Sequence, residues 1–219
     1  MSEGTISERI LKLRNDYAGE ELVVADMSAN PVEQFEDWME KAIQCQGNDP
    51  NAMVLATAGP SGIPSSRVVL LRGFGEDGFN FFTNYASRKS KEIEYNPQVS
   101  LAFYWPEIMK QVRIEGKAFK LPETSSDEYF NSRPRESQIG AWASLQSDPL
   151  ESRQVLEKKY EEYKKKFEGK DVPRPGGWGG FTVKPFYFEF WQGRANRLHD
   201  RIIYQKNDEG SWTAIRLSP

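Results

Sequence analysis

At 219 residues and 25.1 kDa the chain is long enough to bury one sizeable hydrophobic core. A formal net charge of -3 and a pI near 5.5 provide no global positive field, which argues against nucleic acid or an anionic membrane surface as a partner. The single cysteine, Cys45, excludes an intrachain disulfide, and with only one histidine beside it no zinc site of the usual nitrogen and sulfur ligands is expected. No window approaches the roughly 18 apolar residues that span a bilayer, and the polar start Met1 to Ile10 has no signal-peptide character. A soluble cytoplasmic protein with no metal is the expectation.

In chain order, residues 1–30 carry little pattern and read as a partly mobile segment of a single domain spanning 1–219. Asn30-Pro31 marks a helix start, with an N-cap side chain and a proline whose missing N–H costs nothing at the first position. Val32, Phe35, Trp38, Met39, Ala42 and Ile43 then recur at helical spacing as one apolar face. From Ala52 the texture becomes short β-type runs. Met53 to Ala58, Ser65 to Leu71 and Phe79 to Thr83, separated by turns at 59–62 and 75–78, predict a three-strand antiparallel meander. Ser87 to Tyr95 reads as a helix, followed by strands Val99 to Trp105 and Gln111 to Phe119. Helices are expected at Glu123 to Asn131, Ser137 to Gln146 and Glu151 to Phe167, the last a solvated helix of paired charges. Strands return at Gly180 to Trp191, Arg201 to Gln205 and Trp212 to Leu217. The sum is a mainly β fold, a closed or nearly closed antiparallel barrel of six or more strands with peripheral α-helices.

Five clusters carry chemistry. Arg67 and Arg72 bracket the apolar run Val68 to Leu71, and strand parity places them on opposite faces unless a bulge intervenes. Arg88 and Lys89 open the helix after Ser87, where free N–H groups and the positive dipole end favour a phosphate. Pro134 breaks a helix so that Arg133 and the Ser137 hydroxyl, near Tyr129, converge on a second anion, while Gln146 and Ser147 close the following helix. Gln111, Arg113 and Glu115 share one polar strand face. Finally, residues 191–201 gather an indole, an amide, three guanidinium groups, a carboxylate and the only histidine, a combination suited to a planar anionic ligand. Two separated phosphate-type sites beside that cluster suggest two phosphorylated ligands lying together, one a cofactor and one a substrate.

These residues resemble the pyridoxine/pyridoxamine 5'-phosphate oxidase family, FMN enzymes of the split-barrel flavoprotein class. The resemblance runs from about Arg14 to Pro219 through Arg67-Val68-Val69-Leu70-Leu71, Thr83-Asn84 with Ser87-Arg88-Lys89, Gln111-Val112-Arg113, Ser132-Arg133-Pro134, Trp178-Gly179-Gly180, Glu189-Phe190-Trp191-Gln192-Gly193, Arg197-Leu198-His199-Asp200-Arg201 and Arg216-Leu217-Ser218-Pro219. It implies an FMN-binding split β-barrel. FMN would be held by Arg67, Val68, Val69, Leu70, Leu71, Arg72, Phe82, Thr83, Arg88, Lys89, Gln111, Gln146, Ser147, Trp191 and Arg201. The substrate phosphate would meet Arg72, Tyr129, Arg133 and Ser137, with Arg14 and Tyr17 as a mobile cover. Leu198 would also line the substrate site, and Arg197 and His199 would be the catalytic pair. The implied reaction oxidises C4' of pyridoxine 5'-phosphate or pyridoxamine 5'-phosphate to the aldehyde of pyridoxal 5'-phosphate, with dioxygen as acceptor and hydrogen peroxide as product. The implied assembly is a homodimer with active sites at the interface.

One departure stands out: the family usually has lysine at position 72, and this chain has Arg72, a larger planar fork. Two rivals remain open, a split-barrel flavin reductase with another substrate and a non-catalytic binder of FMN or pyridoxal phosphate. The cluster at Tyr129, Arg133 and Ser137 speaks for a small phosphorylated pyridine.

Overall fold

The computed structural model describes residues 5–13, 16–45, 49–207 and 210–219, so Arg14 lies outside the described residues. Among these, the helices are α1 (Ile6–Lys12), α2 (Pro31–Gln44), α3 (Arg88–Tyr95), α4 (Glu123–Ser132), α5 (Arg135–Ala143) and α6 (Arg153–Lys166). The strands are β1 (Ala52–Ala58), β2 (Pro64–Leu70), β3 (Gly73–Gly75), β4 (Gly78–Asn84), β5 (Gln98–Trp105), β6 (Lys110–Lys120), β7 (Trp178–Gln192), β8 (Asp200–Lys206) and β9 (Trp212–Leu217). Their hydrogen-bonded order is β2-β1-β5-β6-β7-β4-β3, with β8 on β7 and β9 on β8. The chain forms two compact units, one of Asn51–Phe103 and Arg113–Phe188, the other of Met1–Pro50, Tyr104–Val112 and Glu189–Pro219.

In the larger unit, the Gly59–Gly62 turn joins β1 to β2 as the sequence predicts, with Gly62 at φ +71° and its N–H on the Gly59 carbonyl. The expected three-strand meander does not form. β2 pairs only with β1 and ends the order, while β4 forms a two-residue hairpin with β3 and pairs antiparallel with β7, Phe81 opposite Phe181. The partner of β4 comes from about a hundred residues away, a pairing that no local turn signal announces. Leu55, Phe79, Phe81, Leu101, Phe103, Ile114, Val183 and Phe188 are fully buried and make the core. A second cluster, Phe130, Ile139, Phe167, Val172 and Trp178, seats α4 and α5. Helix α6 buries none of its residues and carries the i,i+4 pair Arg153–Glu157 at 2.7 Å, the solvated helix expected.

In the smaller unit, α2 starts as its sequence dictates: the Asn30 side chain accepts the Val32 N–H at 2.9 Å and Pro31 occupies the first turn. Its apolar face is buried except for Ile43, which is 52% exposed near the helix end. Trp38 packs edge-on against Phe190, and Phe190 against Tyr204, at 5.1 and 5.6 Å between ring centroids.

Candidate functional site

The larger unit holds an open cleft of about 1360 Å³. Its walls are β2 with Arg67, Val68, Val69 and Leu70, then Arg72, the end of β4 with Phe82 and Thr83, and the start of α3 with Arg88 and Lys89. Tyr129, Arg133 and Ser137 of α4 and α5, with Gln146 and Ser147 beyond α5, complete it. Arg67 and Arg72 thus share one cleft, contrary to strand parity. The reason is that β2 ends at Leu70, and Leu71 turns into the core at 5% exposure, donating its N–H to the Asn51 carbonyl, before Arg72 begins a new direction. Helix α5 ends at Ala143, so Gln146 and Ser147 sit in the loop beyond it rather than in its last turn.

Pro134 acts as expected. It drives Arg133 to an extended backbone (φ -73°, ψ 149°), and α5 begins directly after it. The Arg133 guanidinium lies over the Trp178 indole at 4.7 Å and the Phe130 ring at 5.6 Å, with its Nη1 buried and without a hydrogen-bond partner among the described residues. Trp178, Phe82 and Tyr129 stack nearly parallel, Phe82 4.0 Å from Tyr129 and 5.6 Å from Trp178, and the Arg72 guanidinium lies 5.8 Å over Tyr129. The stack needs Gly180, which pairs opposite Phe82: a Cβ there would fall 2.7 Å from the Phe82 ring. Burial, with the like charge of Arg72, pushes the Arg133 pKa down.

At the α3 end of the cleft, Lys89 Nζ donates to Thr83 Oγ1 at 3.1 Å, Gln146 Oε1 at 3.2 Å and Ser87 Oγ at 3.3 Å. All three acceptors are neutral. Burial, with Arg67 nearby, lowers the lysine pKa to about 8. Arg67 Nη1 donates to the Leu55 carbonyl at 3.1 Å and Thr57 Oγ1 at 2.6 Å, and Nη2 donates to Ser65 Oγ at 2.6 Å. The α3 carboxylate Glu92 accepts from Arg88 Nε at 2.8 Å. The sequence reading did not single out Glu92, Thr57 or Ser65. The i,i+4 spacing of Arg88 and Glu92 was the available signal for the first, and the other two carry none.

In the smaller unit, Tyr17, Trp191 and His199 pack together, with ring centroids 5.6 Å (Tyr17–Trp191), 5.3 Å (Tyr17–His199) and 4.8 Å (Trp191–His199) apart. Gly193 admits this packing, since a Cβ there would lie 2.5 Å from the Tyr17 ring. His199 Nδ1 accepts the Arg194 N–H at 3.0 Å, so the ring proton belongs on Nε2. Burial and the Arg197 charge lower its pKa, which keeps the ring neutral near pH 7. Asn196 and Arg197 are both left-handed, at φ +57° and +63°, and Leu198 is 68% exposed. Arg201 Nε meets the buried Glu189 at 2.8 Å, and Gln111 lies half-buried on β6. Asp200 accepts the Leu22 N–H at 3.1 Å and pairs with Arg216, which also donates to the Leu22 carbonyl. The predicted residues therefore collect into two groups, fourteen on the cleft, and Tyr17, Gln111, Trp191 and the 197–201 loop in the other unit, while Leu71 is buried in the core and lines no part of the cleft.

Phosphate-bearing ligands suit the cleft on physical grounds. Lys89 is a buried cation with neutral partners, and Arg133 Nη1 is a buried donor with none; an anion satisfies both. A family model described as pyridoxamine 5'-phosphate oxidase matches residues 39–167, and one described as the pyridoxine 5'-phosphate oxidase C-terminal dimerisation region matches residues 178–219. The pyridoxine/pyridoxamine 5'-phosphate oxidase of Rubrobacter xylanophilus is 53% identical over 207 residues, covering 94% of this chain and 95% of its own. That of Nostoc punctiforme is 49% identical over 214 residues, covering 98% and 100%. Among solved structures, PhzG from Burkholderia lata, determined with tetrahydrophenazine-1-carboxylic acid, superposes with a TM-score of 0.86 at 30% identity, covering 92% of this chain and all of that one. An FMN-binding protein of Nostoc punctiforme shares the fold at a TM-score of 0.68 and 18% identity, covering 88% and 100%.

Proposed function

The chain belongs to the pyridoxamine 5'-phosphate oxidase family, and from that premise we propose how its own residues serve the reaction. It is an FMN-dependent, split-barrel oxidase acting on pyridoxine 5'-phosphate and pyridoxamine 5'-phosphate, and its C-terminal dimerisation region makes it a homodimer. When bound, FMN supplies the two-electron acceptor for C4' of the substrate and passes the electrons on to dioxygen, giving hydrogen peroxide.

The protein's share is binding, orientation and proton placement. Arg67, Arg88 and Lys89 hold the FMN phosphate at the start of α3, and the β2 edge with Phe82 and Thr83 seats the rest of the flavin. Gln111, Gln146, Ser147, Trp191 and Arg201 complete that site. Arg72, Tyr129, Arg133 and Ser137 hold the substrate phosphate. Arg197 orients the pyridine ring, Leu198 and Tyr17 pack against the substrate, and His199 presents an N–H at Nε2, since its Nδ1 is already engaged by Arg194. The active sites lie at the dimer interface. Val54 and Val68, cross-strand partners at the sheet's end and 40% and 65% exposed, offer apolar surface for that contact. Among the described residues no helix is long and apolar enough to cross a membrane; a cytoplasmic location belongs to this proposal.

One observation carries the reading: the cleft holds two separate cationic positions, at Lys89 and at Arg133, that lack anionic partners among the described residues. A flavin reductase for an unphosphorylated substrate has no use for the second. The test is the visible spectrum of the FMN-saturated protein, without oxygen, on adding pyridoxine 5'-phosphate. The flavin band is expected to bleach and to return on admitting air, with pyridoxal 5'-phosphate formed. Bound flavin that stays oxidised would point to another substrate or to a binding role, and absence of flavin binding would remove the reading altogether.

A further inference from the structure

Beneath the cleft, Glu92 of α3 is 8% exposed and touches both guanidinium groups of the phosphate cradle without lining the cleft itself. Its Oε1 accepts from Arg88 Nε at 2.8 Å. Its Oε2 accepts from Thr57 Oγ1 at 2.5 Å and Ser65 Oγ at 2.6 Å, and meets Arg67 Nη2 at 3.3 Å. Those two hydroxyls also accept from Arg67, each at 2.6 Å. Every hydroxyl is thereby both donor and acceptor, and each carboxylate oxygen serves a different arginine.

A carboxylate is costly to bury unless it is paired and hydrogen-bonded. Burial alone would push the Glu92 carboxyl up, but the hydrogen bonds from Ser65, Thr57 and Arg88 and the Arg88 charge hold it at about 2. It is therefore ionised at any working pH. The Arg88 side chain is 65% exposed, so Glu92, one turn further along α3, is what holds it in place. Three cations meet at this end of the cleft, Arg67, Arg88 and Lys89; one buried carboxylate leaves two net positive charges against the roughly two negative charges of a phosphate monoester.

We propose that Glu92 is the positioning residue of the phosphate cradle, fixing Arg67 and Arg88 before ligand arrives and acting on the phosphate only through them. The proposal rests on the assignment of that end of the cleft to the FMN phosphate. Preorganisation of this kind raises affinity by lowering the ordering cost at binding.

The test compares FMN with riboflavin, which lacks the phosphate, by quenching of flavin fluorescence on the flavin-stripped full-length protein. The wild type is expected to bind FMN far more tightly than riboflavin. Glu92→Gln is expected to lose about tenfold or more in FMN affinity while riboflavin affinity stays within about twofold. Ser65→Ala, a milder change at a half-exposed position, removes one donor to Glu92 and one acceptor from Arg67, and is expected to show a smaller loss confined to FMN. It keeps the question answerable should Glu92→Gln fold poorly. Retention of FMN affinity in both variants, or equal losses for both flavins, overturns the role of Glu92. A wild type that binds the two flavins alike would instead overturn the phosphate assignment beneath it.

Discussion

The Arg133 guanidinium rests 4.7 Å over the Trp178 indole, which fixes its plane while leaving Nη1 without a partner. Tyr129 and Phe82 pack parallel to the same indole, and the Arg72 guanidinium lies 5.8 Å over the Tyr129 ring. One aromatic stack therefore sets two cations at once. Trp178→Phe keeps the stack but weakens the cation–π contact, and the Michaelis constant for pyridoxine 5'-phosphate is expected to rise about three- to tenfold, with kcat changed less. Steady-state kinetics at saturating FMN check this; an unchanged constant would mean that Arg133 is placed by something else.

Arg72→Lys restores the residue usual in the family. The planar fork over Tyr129 is lost and the charge is kept. Substrate binding is expected to survive with the Michaelis constant shifted several-fold and kcat near that of the wild type. No change in either constant would show that the fork makes no use of its shape.

The cradle titrates through Lys89. Its pKa is lowered from 10.5 to about 8, so the ammonium is charged below that pH and neutral above it. FMN affinity is expected to hold from pH 7 to 8 and then to fall by up to about tenfold per pH unit, because binding the phosphate must restore the proton. Riboflavin affinity should stay flat, and Lys89→Met should flatten the FMN curve. Fluorescence titrations from about pH 7 to 9.5 decide it.

Stability in acid reports on Glu92 without any ligand. Its carboxyl is held at about 2 against an ordinary 4.5, so the folded state binds fewer protons than the unfolded state between these values. The contribution is complete above pH 4.5 and is lost as the pH falls toward 2. Melting temperatures of the wild type and Glu92→Gln should accordingly converge on acidification; a constant gap down to pH 2 would contradict the assignment.

If Arg197 has the substrate-facing role proposed for it, Arg197→Ala is expected to abolish most turnover while retaining flavin. The readout is the flavin spectrum of the purified variant beside its rate of peroxide formation. Wild-type turnover would remove Arg197 from the mechanism.

Local chemistry was legible wherever neighbours in sequence are neighbours in space. Asn30-Pro31 starts α2, Pro134 breaks α4 from α5, and the Gly59–Gly62 turn joins β1 to β2, all as read from the residues. Strand partnership was not legible, since β4 finds β7 rather than β2 and no turn residue encodes a pairing so distant. The shared cleft of Arg67 and Arg72 was hidden for a related reason: parity holds only while a strand continues, and β2 stops at Leu70. Glu92 was hidden because its partners Thr57 and Ser65 belong to β1 and β2, where a hydroxyl looks like any strand-surface residue.

The Asp200 and Arg216 contacts also bear on the order in which the protein assembles. Leu22 meets Asp200 across 178 positions of sequence and Arg216 across 194. Ordering a loop that long gives no return until both ends are in place, so such contacts belong to the slow, late steps of folding. The stretch carrying Arg197 and His199, anchored at Asp200, is therefore expected to gain amide protection late in refolding, which pulse-labelled hydrogen exchange would check. In such an experiment the contacts of Glu92 with Thr57 and Arg88, closed across at most 35 positions of sequence, are expected to be in place while the Leu22–Asp200 contact is still open.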